Sequence, residues 1–381
     1  MDCLVNRIMC QSLNQVQPED GVVNEIRERY LEIRNQLIDN AKKNKMMPFI
    51  AKMLLDAGID STYWNDVLKE YRLRNSNAKA ELIAILECLG QNGICAYPIE
   101  NFASLILTGA DLAMFASGDI DIYVQSREYE RVNIIMQGLG YFAESRSEIC
   151  GDFYRKPGVE IGFNMMWTWQ ARENCPMETK LEQNNLGVNA EIADWVIDGI
   201  EVGLGIMGGW GVLGGGGIGA DELMYMCLVH SSVHYYAAKP GLRLYYDICL
   251  LGKQNINWNQ VYRYAEADGY LNRVAASAYF ACERVHAVVP EEFYSSIIGT
   301  DRRAKRLVDF INKKWEANTL YADFTIIHKI FIESFSNDEC VVKTIYKMLF
   351  PNRLWINRKY HGDSYLKNWL KHVACLLRGT G

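Results

Sequence analysis

No apolar run in the 381-residue chain approaches the roughly eighteen residues needed to cross a bilayer. The opening MDCLVNRIMCQSLNQ also lacks the apolar stretch of a signal peptide, so a cytoplasmic protein with no membrane partner is expected. The eleven cysteines form no C-x-x-C pair and lie at long intervals, which argues against a zinc knuckle and a disulfide framework. Cys227, Cys249 and Cys282 sit among aliphatic and aromatic residues and are expected as buried thiols. An excess of basic charge is missing too: 40 Lys and Arg against 46 Asp and Glu leave a formal −6, which disfavours a broad nucleic-acid footprint and makes long DNA or RNA a poor substrate. The glycine run GLGIMGGWGVLGGGGIG (203–219) contains no G-K-[ST] and no strand-to-helix dinucleotide fingerprint, so it is read as a linker rather than a phosphate cradle.

What is present is an ordinary folded composition, 49% hydrophobic and 23% charged, over a length that suggests two to three domains. Residues 1–95 read as a helical N-terminal region: Val22, Ile26, Tyr30, Ile33 and Leu37 recur at helical spacing, and a second stripe runs from Trp64 to Leu89. The charge-rich segment Asn40 to Lys45 reads as a solvated helix end. Residues 96–202 change to short apolar runs and one helix, an α/β unit. Its expected parts are a strand at Leu105–Leu107, a strand ending at Val124, a helix from Arg127 to Leu139 capped by Ser126, and a hairpin of Asp152–Arg155 with Val159–Phe163. In the second hairpin strand Glu160, Gly162 and Asn164 share a face. After the linker (203–220), residues 221–381 read as a helical C-terminal domain without a fixed-period repeat. The fold class expected is α+β, a small mixed-sheet core between helical regions.

The stretch SLILTGADLAMFASGDIDIYV carries the chemistry. Period-two alternation puts Asp119 and Asp121 on one face of a strand and Ile120 and Ile122 on the other. Two carboxylates that close repel unless a positive charge sits between them, and a divalent cation is the simplest candidate. Solvated aspartates on an edge strand are the alternative. His230 and His234, at i and i+4, have no glutamate after the first, so H-E-x-x-H chemistry is absent. They share an apolar stripe with Leu223 and Cys227, which favours packing, although a helix closing over the α/β unit would carry them to the site, His234 nearer than His230. Asp247 is expected to pair with Arg243 or to orient one of the rings.

A strand, a small-residue turn at Thr108, Gly109 and Ala110, and then D-h-D resembles the nucleotidyltransferase superfamily to which polymerase beta belongs. The segment Asp221 to Leu251, with H-x-x-x-H followed by D-I-x-L-L, is similar to a bacterial family labelled uncharacterised nucleotidyltransferase, as is the tail at Leu349, Phe350 and Pro351. The resemblance covers about three quarters of the chain. It implies a nucleotidyltransferase-like core using Mg²⁺ (or Mn²⁺), with Asp119, Asp121 and Glu160 as catalytic and metal-binding residues. A nucleoside triphosphate would be bound by Thr108, Gly109, Ala110, Ser117, Arg155 and His234, and a nucleoside monophosphate transferred to an unknown small-molecule or protein acceptor. The chain departs from the family at Thr108 (lysine there), Ala110 (often serine), and Gly162 and Asn164 (D-L-H-W). Those departures motivate the alternative of a catalytically impaired nucleotide- or partner-binding member of the same fold. A third possibility is a helical interaction protein with the α/β unit as scaffold.

Overall fold

The computed structural model describes residues 3–14, 20–146, 151–166, 218–236, 241–316, 326–336, 341–351 and 364–378, together with 353, 356 and 360. Most of the expected Gly-rich linker lies outside the described residues.

Four helices come first: α1 (Cys3–Asn14), α2 (Asp20–Lys43), α3 (Met47–Asp56) and the 31-residue α4 (Ser61–Gln91). The buried face of α4 includes Trp64, Leu68, Ala78, Leu82, Ile85 and Leu89. A polar chain ties it to α2: Trp64 Nε1 donates to Tyr30 Oη at 2.9 Å, and Tyr30 Oη donates to Asp60 Oδ2 at 2.7 Å. Near the middle of α4, buried Asn75 donates to the carbonyls of Leu112 (2.5 Å) and Phe115 (2.9 Å), and Arg74 donates to Phe115 O at 2.7 Å. These bonds fix the loop that leads into the D-h-D strand.

The sheet has five strands in the order β1-β2-β5-β4-β3: β1 (Ala96–Pro98), β2 (Asp119–Val124), β3 (Phe142–Ser145), β4 (Gly151–Arg155) and β5 (Gly162–Met166). β2 runs parallel to β5 and the other neighbours are antiparallel, so the sheet is mixed and the fold is α+β. Pro98 ends the edge strand β1, where its missing N–H removes nothing from the ladder. Helix α5 (Glu100–Thr108) joins β1 to β2, and α6 (Tyr129–Gly138) joins β2 to β3.

The chain resumes in α7 (Ala220–Val233), a 3-10 turn at Gly241–Leu244 and α8 (Tyr245–Leu251), with α5 packed on α7 and α8. Next come α9 (Trp258–Ala267), α10 (Leu271–Val285), α11 (Glu291–Thr300) and α12 (Arg302–Glu316). The last described helices are α13 (Ile326–Ser336), α14 (Val341–Leu349) and α15 (Tyr365–Arg378). One apolar cluster runs from Leu4 to Ile332 through the sheet, and α1 packs on α8 and α10. Among the described residues no helix is long and apolar enough to cross a membrane.

Four local expectations are corrected. The helix after β2 begins at Tyr129, with Ser126–Glu128 a preceding 3-10 turn and Glu128 rather than Ser126 in the capping position. Leu105–Leu107 belong to a helix, not a strand, because the apolar residues of ENFASLILT are buried against α7 and α8 at helical spacing. The second hairpin strand begins at Gly162, three residues later than expected, so Glu160 precedes it. β3 was not anticipated: its alternately exposed FAES carries no continuous apolar signal.

Candidate functional site

Asp119 and Asp121 lie on one face of β2, partly exposed, with Ile120 and Ile122 buried on the other. Parallel pairing places Asp119 beside Gly162 and Asp121 beside Asn164. Ser117 Oγ donates to Asp119 Oδ1 at 2.7 Å, and Asn164 Nδ2 donates to Asp121 Oδ1 at 2.8 Å. A side chain at 162 would collide with the Phe153 ring, whose Cζ lies 2.3 Å from where its Cβ would stand, so that ring and not a third carboxylate fills the space beside Asp119.

The third acidic group comes from elsewhere. Ile99 N donates to Asp121 O at 2.9 Å, which sets the turn after β1 against the D-h-D strand. The next residue, Glu100, holds a left-handed backbone with φ of 56°, unusual for a side-chain-bearing residue and frequent at functional turns. Its buried carboxylate meets His230 on α7, with Oε2 2.5 Å from Nδ1. Burial, then the charges of Glu100 and Asp119, push the Asp121 carboxyl up to about 8, against the opposing Asn164 hydrogen bond and His230. That rise means the site resists a full set of bare carboxylates.

Positive groups surround the carboxylates. Arg243, in the turn before α8, is buried and faces Asp247, Asp119, Asp121 and Glu100. Asn101 bridges it to Asp247, accepting from Arg243 Nη1 at 2.7 Å and donating to Asp247 Oδ2 at 2.6 Å. Burial also pushes the Asp247 carboxyl up to about 8, with Arg243 and His230 opposing. Lys45, at the left-handed turn between α2 and α3, has an ammonium lowered by burial and by nearby Arg243, with Asp119 opposing. Burial works against the His230 imidazolium, but Glu100 overcomes it and raises the group. His234, its ring centroid 4.8 Å from that of His230, is lowered to about 4 by burial and then by His230 and Arg243.

The structure brings Asp119, Asp121, Ser117, His230 and His234 together. Contrary to the expected packing role, both histidines join the charged cluster, and His230 rather than His234 touches a carboxylate. Arg243 and Asp247 are linked through Asn101 rather than directly hydrogen-bonded. Glu160 is exposed, outside β5, and does not join Asp121. Arg155 pairs with Glu144 across β3 and β4 at 3.2 Å, donates to the Glu160 carbonyl at 3.1 Å and lies over the Phe153 ring. Thr108, Gly109 and Ala110 form the far end of α5, about 12 Å from Glu100 by helical rise. There the N–H groups of Gly109 and Ala110 are spent on Ile106 O and Leu105 O. The turn next to the carboxylates is Ile99–Asn101. Glu100, Lys45 and Arg74 escaped the sequence reading. The one available sign was polar Asn75 at a buried phase of α4, beside Arg74.

Among the described residues no three His, Cys, Asp or Glu side chains form a ready metal cage. Asp119 and Asp121 alone fit the habit of Mg²⁺, which takes one or two carboxylates and fills its remaining positions with water and substrate phosphate oxygens. No family model, curated protein or solved structure matches the chain.

Proposed function

We propose that the chain is a nucleotidyltransferase with a nucleotidyltransferase-like core, dependent on Mg²⁺ (or Mn²⁺), transferring a nucleoside monophosphate from a triphosphate to a small-molecule or protein hydroxyl. The observation that carries this reading is the pair Asp119 and Asp121 on one face of β2, with a carboxyl at Asp121 that a cation would relieve. Asp119 and Asp121 are the residues that would hold Mg²⁺, which when bound supplies neutralising charge to the phosphate oxygens. Lys45 and Arg243 add positive charge around the triphosphate, with Arg74 close to Lys45. The acceptor oxygen attacks the α-phosphorus as the bond to the β-bridging oxygen breaks and pyrophosphate leaves. Glu100, held by His230, is the base assigned to the acceptor proton.

A second reading, a nucleotide- or partner-binding member with impaired catalysis, is favoured by Gly162, where the family resemblance leads one to expect a carboxylate and where the Phe153 ring leaves no room for a side chain. One experiment separates them. Melting temperature and pyrophosphate release are measured with each of the four ribonucleoside triphosphates, with Mg²⁺ and with chelator. A Mg²⁺-dependent rise in Tm with release supports the transferase, and a rise without release supports the binding member. No rise with any triphosphate sinks the transferase and the nucleotide-binding member, and leaves only a partner for this cleft. Asp121→Asn is expected to abolish the rise while leaving the free protein as stable or more so.

A further inference from the structure

The last 41 residues carry a basic excess that the rest of the chain, taken as a whole, lacks. From Val341 to Gly381 eight Lys and Arg face one acid, Asp363, for a formal +7, while residues 1–340 carry −13. Within this segment α14 and α15 meet at an aromatic seam. Tyr346 lies 5.2 Å from Phe350, Phe350 stacks on Trp369 at 5.7 Å with planes 11° apart, and Trp369 Nε1 donates to Leu349 O at 2.8 Å. Val342, Tyr346 and Phe350 follow one another at four-residue steps, as do Leu366 and Leu370, and all five are 44% to 73% exposed. Lys343, Arg353, Lys367 and Lys371 are exposed on the same stretch. On α15 the exposed positions Leu366, Lys367, Leu370 and Lys371 form one stripe in which leucine and lysine sit side by side.

We infer that this surface rests on an anionic lipid bilayer. Aliphatic and aromatic side chains enter the acyl boundary, while lysine stems lie along them and leave ammonium groups at phosphate level. Other occupants fit less well. Pairing of the same face between two copies sets +7 against +7. A single-stranded nucleic acid would use Tyr346 and Trp369 but leave Val342, Leu366 and Leu370 in water. The −13 carried by the rest of the chain as a whole is repelled by an anionic surface, with the basic α12 (six Lys and Arg against Asp309 and Glu316) as the exception, so attraction is concentrated in the C-terminal segments. Lying on a membrane needs no crossing helix, and none is found among the described residues. The expectation of no membrane partner would then fail for surface contact.

The test is sedimentation of the full chain with vesicles of phosphatidylcholine carrying roughly one-third phosphatidylserine, and with phosphatidylcholine alone. Binding is expected to the anionic vesicles, to weaken with added salt and to be slight with the neutral ones. Lys367→Gln with Lys371→Gln should weaken it roughly fivefold per lysine. Leu366→Asn with Leu370→Asn should weaken it at least tenfold. Because all four side chains are exposed, an unchanged melting temperature shows that the variants fold. Equal binding to neutral vesicles, no binding to either, indifference to both pairs of substitutions, self-association lost in the leucine variant without lipid, or tighter binding to a single-stranded oligonucleotide would each overturn the inference.

Discussion

Asp152 on β4 and Asp121 on β2 flank β5 from its two sides, Asp152 opposite Met165 and Asp121 opposite Asn164, and so point to opposite faces of the sheet. Asp152 is fully buried, yet its Oδ2 accepts from Arg146 Nε at 2.9 Å and from Tyr154 Oη at 3.1 Å. Asp121 accepts one bond from a neutral amide and looks at two more carboxylates. The residue type is the same, Asp152 fully buried and Asp121 partly exposed. Their neighbours differ: Asp152 is placed to hold the sheet together, whereas Asp121 stores an unfavourable interaction that a cation or a proton relieves.

Changing that neighbourhood should have its largest effect on chemistry. Glu100→Gln removes the assigned base and the partner of His230, so turnover should fall about a hundredfold or more while the Mg²⁺-dependent rise in Tm persists. Loss of both together would make Glu100 part of the binding site instead. On stability the two aspartates should move in opposite directions. Asp152→Asn leaves Arg146 without its buried partner and should cost about 2 to 3 kcal/mol in urea unfolding at neutral pH. Asp121→Asn should gain roughly 1 to 3 kcal/mol, because a neutral side chain no longer resists ionisation beside Glu100 and Asp119. If both substitutions destabilise, the contrast between the two faces fails.

A pH series sharpens the same contrast with a smaller effect. The Asp121 and Asp247 carboxyls, pushed up to about 8, contribute stability that is complete below their unfolded value near 4 and is lost as pH rises through about 8. His230, raised by Glu100, acts in the same direction. His234, lowered to about 4, acts oppositely: its contribution is present above about 6.5 and is lost as pH falls through about 4. Between about pH 6.5 and 8, then, the first three act together with no counterweight from His234. Unfolding free energy should drop by roughly 1 to 2 kcal/mol over that window, and the slope should be shallower in Asp121→Asn. A flat wild-type profile would remove the strained cluster.

The D-h-D face was legible from sequence because strand alternation is local: two residues apart means the same side, whatever surrounds them. Leu105–Leu107 was misread because a three-residue apolar run suits strand and helix equally, and packing against α7 and α8 decides it. Glu100 escaped because its place depends on one left-handed residue and on a histidine 130 positions later. Lys45 escaped for a related reason. At the end of a charged helix it reads as solvated, and it is exposed as read, but only the fold brings Asp119 and Arg243 near it. The charge reversal after residue 340 was fully present in the sequence but averaged away in a net charge of −6.

The smallest expected effect belongs to Glu160, the carboxylate that shares a face with Asn164 in an idealised strand. Extending β5 backwards would set it in line with Asp119, but the strand begins at Gly162, and Glu160 is exposed on the segment before it. Its backbone carbonyl is what Arg155 Nη1 reaches, and its side chain acts on Arg74 only through charge. Glu160→Gln should therefore change stability by no more than about 0.5 kcal/mol. It should also leave the Mg²⁺-dependent triphosphate affinity, read by isothermal titration, within about twofold of wild type, the residue of that change coming from a slightly less balanced Arg74. A tenfold loss of affinity would mean that the segment before β5 closes onto Asp119 when nucleotide binds, and would restore Glu160 as the third carboxylate in place of Glu100.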